Sequence, residues 1–310
     1  MNKNPNPINR SATVGCRVES RDQYPQKKIS ALAIFIFAVL NPLPVLAVFT
    51  PEVVDDVVTG ELLNTGDIQN IGMGGIADQT TIYGGKQYVN EGGTSNNATL
   101  NAGDQYINEG GVANNTTMNE GNQYVYAGGT ANGTTINSMT QYVYGTANDT
   151  TMLGGTQYVY DGGIANNTTI NHGVGLQWVE GGIANDTTIN NNGTQYIRDG
   201  GIANNTIINL GGQFVFDGGT AHNTTIYNNG RVAVYAGGRL TGQTIVNDRG
   251  TMTAYDGVIH NEGEVIFQRS ADYILDFDLT GTGGLTQNGP HTLTLSTASS
   301  YSGATTVNGG

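Results

Sequence analysis

The chain has 310 residues, with 12 Lys and Arg against 25 Asp and Glu, and a formal net charge of −13. So acidic a surface excludes nucleic acid and anionic membranes as partners. A single cysteine, Cys16, leaves no intrachain disulfide to stabilise the fold.

Residues 1–28 carry Lys3, Arg10, Arg17, Arg21, Lys27 and Lys28, half of the basic residues in the chain. An apolar run from Ile29 to Leu40 follows, then Asn41-Pro42-Leu43-Pro44-Val45-Leu46-Ala47. A basic segment, an apolar segment and small residues at Val45 and Ala47 predict a Sec signal peptide over residues 1–47, cut between Ala47 and Val48. A transmembrane anchor is the other reading, but the run is short for a bilayer and Pro42 and Pro44 break it. Cys16 lies in the segment to be removed. Residues 48–68 have β-favouring valines and no repeat, and are expected to cap the first coil, whose edge would otherwise be open to pairing.

From Gln69 to about Asn247 one unit returns. Gln opens its copies at positions 69, 87, 105, 123, 141, 157, 177, 195 and 213, with spacings of 18, 18, 18, 18, 16, 20, 18 and 18. A worn tenth copy starts near Val232. Each copy has two short alternating pieces, such as Gln123-Tyr124-Val125-Tyr126 and the run from Gly133 to Asn137, separated by Gly128-Gly129. Such pieces are too short for helical hairpins and suit one coil of a parallel β-helix, which is stable only when stacked on its neighbours. The predicted fold is therefore all-β: a right-handed parallel β-helix, with the hand set by the crossover rule. About ten coils at about 4.8 Å each make a rod of about 50 Å.

Alternation assigns the faces. The Val or Ile two residues after each Gln, the Ile, Leu or Met near the end of each copy, and a small residue between them (Ala77, Ser95, Ala113, Ala131 and onward) are the expected interior. The opposite parity places Tyr88, Tyr106, Tyr124, Tyr142, Tyr158, Trp178, Tyr196 and Phe214 in one outward column. A second outward column is Thr and Asn, as at Thr117, Asn119, Thr135, Asn137, Thr188 and Asn190. The 16-residue copy loses its residues at Tyr144-Gly145-Thr146, and the 20-residue copy gains them at His172-Gly173-Val174-Gly175, both in turns.

Beyond Asn247 the register decays through transitional coils over residues 249–280, where Ile274 to Leu279 alternates and reads as one strand. Residues 281–310 form a different unit, containing Thr292-Leu293-Thr294-Leu295 and Tyr301-Ser302-Gly303-Ala304-Thr305. The 69–248 repeat resembles that of the AIDA-type autotransporter adhesins, and 281–310 resembles the autotransporter-associated β-strand repeat. His291 stands where that second repeat usually has Gly. The resemblance covers about residues 69–310. It implies a β-helical passenger displayed on a Gram-negative surface, acting in aggregation, biofilm formation and attachment. The implied partners are like passenger chains on neighbouring cells or host-surface ligands, and an O-glycosyltransferase, since some members carry sugars on Ser and Thr. No C-terminal β-barrel follows Gly310, so the expectation is a truncated passenger: surface-exposed where a longer gene supplies a barrel, periplasmic otherwise.

The outward aromatic column is the candidate contact ridge; the other reading is that it only stabilises the coil-to-coil ladder. Carboxylates at Glu91, Glu109, Asp161, Glu180, Asp199 and Asp217 precede the Gly-Gly turns and could hold Ca²⁺. The series breaks at Ala127 and Ala236, however, and the calcium-binding glycine-aspartate nonapeptide is absent, so solvated charge is the expectation. His172, His222, His260 and His291 lack metal-ligand spacing. No nucleophile elbow or other catalytic constellation is present, no cofactor is expected, and the chain reads as a non-enzyme. The competing class is a β-helical polysaccharide-acting enzyme, which the fold alone leaves open.

Overall fold

The computed structural model describes residues 52–309. The expected signal peptide, with its cleavage between Ala47 and Val48, lies outside the described residues. The described chain is a parallel β-solenoid of about 14 turns without helix.

Each repeat forms three strands rather than the two expected from the sequence. In one coil they are Gln123–Val125, Thr130–Asn132 and Thr135–Ile136. The small-residue column therefore runs along its own strand, and does not mark a corner. First strands stack into a 12-stranded sheet, and second and third strands into a 24-stranded network. Pairing is parallel and like on like: Gln105 opposes Gln123, Tyr106 opposes Tyr124 and Ile107 opposes Val125.

Two turns explain the glycine and asparagine pattern. In the Gly-Gly turn that follows a first strand the first Gly has positive φ, 77° at Gly128 and at Gly162, where a Cβ would clash with its own backbone. The second Gly is needed for a different reason: a Cβ on Gly163 would lie 2.2 Å from the Val143 carbonyl oxygen one coil earlier. Between second and third strands one residue per coil is left-handed, including Asn97, Asn115, Asp149, Asn167, Asp186 and Asn223 at φ 54–56°. Asn and Asp tolerate that conformation best among non-glycine residues.

Length changes are absorbed in turns. Across the short coil Val143 still opposes Val159 and Thr146 opposes Ile164. Across the long one Gln157 still opposes Gln177. At the N-terminal side, the stretch expected as a cap forms one more coil of the same pattern. Glu52–Val53 pairs with Asn70–Ile71, Val57–Thr59 with Ile76–Asp78, and Leu62–Asn64 with Thr81–Tyr83.

Toward the other end the coil lengthens to 20 residues, as in the pairing of Leu285 with Thr305. The segment read as one strand from Ile274 to Leu279 is two, Tyr273–Leu275 and Asp278–Thr280. Leu275, Phe277 and Leu279 are all buried, so the alternation holds although the chain bends at Phe277.

The three interior columns predicted from alternation are buried: Val125, Ala131 and Ile136 are each at most 1% exposed. Each such Val or Ile contributes on the order of 1.5–3 kcal/mol. The interior is not purely apolar, however. The Gln that opens each copy is also fully buried, as is the first Thr of each Thr-Thr pair. Gln105 Nε2 donates to Gln87 Oε1 (2.6 Å), Gln123 to Gln105 (2.7 Å) and Gln141 to Gln123 (2.6 Å). The ladder continues to Gln213, and Thr hydroxyls such as Thr134 Oγ1 donate to the same oxygens (3.1 Å to Gln123). From Gln87 to Gln213 each buried amide nitrogen thus finds its acceptor in the coil before it, as buried polar groups require, and only the first rung, Gln69 Nε2, lacks a partner among the described residues.

Candidate binding surface

The first strands expose one long face, and its chemistry is written in two parallel columns. The expected ridge is continuous. Tyr88 and Tyr106 stack with ring centroids 4.7 Å apart, Tyr106 and Tyr124 at 4.9 Å, and Tyr124 and Tyr142 at 4.8 Å. The series runs on through Tyr158 (5.8 Å from Tyr142), Trp178 (6.3 Å further), Tyr196 (4.1 Å) and Phe214 (5.3 Å, tilted). The rings point outward but are only half-buried to half-exposed, because each covers the faces of its neighbours. What they offer to solvent is a comb of ring edges and hydroxyls. Parallel offset rings at these distances contribute about 0.5–1.5 kcal/mol per pair beyond their burial.

A second column, which the alternation also implies but which the ridge assignment omitted, stands two residues further along each first strand. It reads Asn90, Asn108, Tyr126, Tyr144, Tyr160, Glu180, Arg198, Phe216, Tyr235 and Tyr255. Asn108 Nδ2 donates to Asn90 Oδ1 (2.7 Å). Tyr126, Tyr144 and Tyr160 stack at 6.2 and 4.8 Å, and Phe216, Tyr235 and Tyr255 at 4.3 and 4.3 Å. Between the two stacks Glu180 opposes Arg198, whose guanidinium binds the Glu180 carboxylate at 2.5 Å. Glu180 therefore belongs to this column and not to the turn series of Glu91, Glu109, Asp161, Asp199 and Asp217. Its own turn is one residue shorter (Gly181-Gly182 follow directly), which places it on the strand.

Four phenols of this face, Tyr106, Tyr124, Tyr144 and Tyr160, hold their protons more tightly than a free phenol. Burial, then the Asp104 carboxylate, raises Tyr106, whose hydroxyl donates to Asp104 (3.2 Å). Burial also raises Tyr124 and Tyr144. Tyr160 is pushed up to about 12 by burial, by Tyr144 and by Glu180. Tyr255 goes the other way, because Arg231 donates a hydrogen bond to its hydroxyl.

The remaining faces carry polar ladders. Asn114 Nδ2 donates to Asn96 Oδ1 (2.9 Å) and Asn132 to Asn114 (2.9 Å) along the second strands. The outward Thr column, with Thr99, Thr117, Thr135, Thr151, Thr169 and Thr188 in register, presents one hydroxyl per coil. Among the described residues no three His, Cys, Asp or Glu side chains converge as a metal site. The turn carboxylates Glu91, Glu109, Asp161, Asp199 and Asp217 stand at most one per coil along the edge.

The chain is similar to known proteins. A family described as "Adhesin of bacterial autotransporter system, probable stalk" matches residues 150–212, and one described as "Passenger-associated-transport-repeat" matches residues 285–310. Among solved structures the chain is similar to the TibC-catalysed hyper-glycosylated fragment of TibA. The two are 34% identical over 83% of this chain and 94% of that one, with a TM-score of 0.69. No curated protein matches the chain.

Proposed function

Because the chain belongs to the AIDA-type autotransporter adhesin passengers, we propose that its long first-strand face is a self-association surface through which like chains on neighbouring cells adhere. The observation that carries this reading is the unbroken outward ridge from Tyr88 to Phe214, on a chain that matches an adhesin stalk family over residues 150–212 and is similar to the TibA fragment over 83% of its length. A continuous apolar stripe on an acidic rod gives two rods a surface to match coil against coil. Residues 1–47 serve as its Sec signal peptide, cut between Ala47 and Val48, which places the mature passenger outside the cytoplasm.

An O-glycosyltransferase is a second proposed partner. The TibA fragment is hyper-glycosylated through TibC, and this chain presents the corresponding chemistry as the outward Thr column. Thr117, Thr135 and Thr169 are proposed acceptors. Thr116, Thr134 and Thr168 are buried against the Gln ladder and are not.

The test replaces Tyr106, Tyr124 and Tyr142 together with Ser, in cells displaying the passenger on a barrel. Loss of cell-cell aggregation, with the purified chain still β-rich by circular dichroism, supports the reading. Unchanged aggregation with a lowered unfolding midpoint assigns the ridge to stability alone. Peptide mass spectrometry of the native chain decides the acceptors: sugar on Thr134 or Thr168, and none on Thr135 or Thr169, overturns the assignment.

A further inference from the structure

The break in the second aromatic column forms a site of its own. The stack that begins at Tyr126 ends at Tyr160, so one face of the Tyr160 ring has no aromatic neighbour in its column. Beyond it lies an open cleft of about 710 Å³, lined by Tyr144, Tyr160, Asp161, Glu180 and Asp199 and floored by Gly181 and Gly200. Three carboxylates face one nearby cation, Arg198, which lies on Glu180 (2.5 Å) and Asp199 (3.3 Å). Among the described residues no side-chain hydrogen bond or ion pair engages Asp161. The three acids do not converge closely enough to hold a metal.

The chain shows what such a setting takes. Of the six Lys and Arg after residue 47, four lie over aromatic rings: Lys86 over Tyr106 (5.7 Å), Arg198 over Trp178 (4.9 Å), Arg231 over Phe214 (5.1 Å) and Arg269 over Tyr273 (4.2 Å). Arg198 is the fullest example, a guanidinium held between a ring face and two carboxylates. The Tyr160 cleft repeats those elements, a ring face and carboxylates, and the chain's own cation there, Arg198, serves Glu180 and Asp199 and leaves Asp161 to a guest.

We propose that the Tyr160 cleft is a docking site for an arginine or lysine side chain of a partner polypeptide, stacked on Tyr160 and paired with Asp161. A ring face gives a cation about 0.5–1 kcal/mol at an exposed site, and the Asp161 carboxylate adds charge-assisted hydrogen bonds. The geometry suits the flat, delocalised guanidinium better than the ammonium. The proposal does not depend on self-association, and its test is made on the purified chain, so the two fail separately.

Trp178, the only tryptophan, lies one coil from Tyr160 and reports occupancy by its fluorescence. The probe is acetyl-Gly-Arg-Gly amide, and its control is the same tripeptide with uncharged citrulline. Tyr160→Asn removes the ring with a residue that the column already holds at Asn90 and Asn108. Asp161→Ala removes the free carboxylate with the residue that stands at Ala127. The arginine probe is expected to change Trp178 emission saturably and the citrulline probe not, with each substitution weakening binding by about threefold. Equal response to citrulline or to a neutral oligosaccharide such as cellotriose, undiminished binding by both variants, or no saturable response overturns the site. So does an equal loss on Glu91→Ala, several coils away, since that would make the attraction a property of the whole acidic rod.

Discussion

Ser95 and Ala98 show how strictly the interior polar ladder is maintained, residue by residue. In most coils an Ala on the second strand faces a buried Thr on the third, and the Thr hydroxyl donates to the Gln carbonyl, as Thr116 does to Gln105 (3.0 Å). In the coil of Gln87 the Thr position is Ala98 and the Ala position is Ser95. There Ser95 Oγ supplies the bond to Gln87 Oε1 (2.9 Å) instead. Both Ser95 and Ala98 are buried, so the hydroxyl has moved across the core without being lost. Ser95→Ala is expected to cost about 0.5–1.5 kcal/mol in urea unfolding, and adding Ala98→Thr to restore most of it. The double variant recreates the pair already present at Ala113 and Thr116. Additive losses would show that the hydroxyl is incidental. The apolar columns were legible in the sequence because alternation marks them directly. The ladder was equally implied by parity, since each Gln stands two residues before a buried Val or Ile. Its polarity hid it: an amide reads as a surface residue until the next coil, 18 positions away, supplies its partner.

At the scale of the element, the Gly-Gly turn and the tyrosine column each set a condition that one strand cannot meet alone. Gly163→Ala puts a methyl group within 2.2 Å of the Val143 carbonyl, so the coils must separate or the ladder must bend. Its cost is expected to be about 1–3 kcal/mol, from overpacking. Gly162→Ala meets only its own backbone, at φ 77°, and is expected to cost about 1–2 kcal/mol. Comparison of the two urea midpoints separates coil-to-coil crowding from local strain. The tyrosine column makes an alkaline prediction. Tyr106, Tyr124, Tyr144 and Tyr160 are all raised above the ordinary phenol value of 10 when folded. A raised folded value contributes stability that is complete below pH 10 and is lost as pH rises through the folded value, about 12 for Tyr160. Urea midpoints should therefore fall steadily above pH 10, together with the rise of phenolate absorbance, and fall less steeply in Tyr160→Phe. A flat midpoint over that range would remove the tyrosines from the ledger of pH-dependent stability. The outward direction of this column followed from alternation, but its stacking did not. Ring-on-ring contact depends on register between copies, and parity within one copy says nothing about whether Tyr124 meets Tyr142 or slips past it.

For the whole molecule, stability is a sum over coils and the interfaces between them, with no closed core that spans the chain. Coils in the regular region present nearly the same buried columns to one another (Gln; Val or Ile; Ala or Ser; Thr or Ala; Ile, Leu or Met), so neighbours on either side are close to interchangeable. Gln105 opposes Gln123 and Gln123 opposes Gln141 in one register, with Val125 opposing Ile107 on one side and Val143 on the other. Removing residues 123–140 therefore joins Asn122 to Gln141 and leaves Gln105 to meet Gln141 with every ladder intact. The rod should shorten by about 4.8 Å, the rise of one coil, and keep its circular dichroism and nearly all of its stability. Removing nine residues, 123–131, joins the same Asn122 to Asn132 instead. That places a second strand where a first strand must pair and sends the Gln ladder's next rung to the wrong sheet. Small-angle scattering for the rod length, read beside the urea midpoint, distinguishes the cases. A whole-coil deletion that unfolds as readily as the half-coil deletion would mean that particular coils carry the fold, and that the repeat is not the unit of stability.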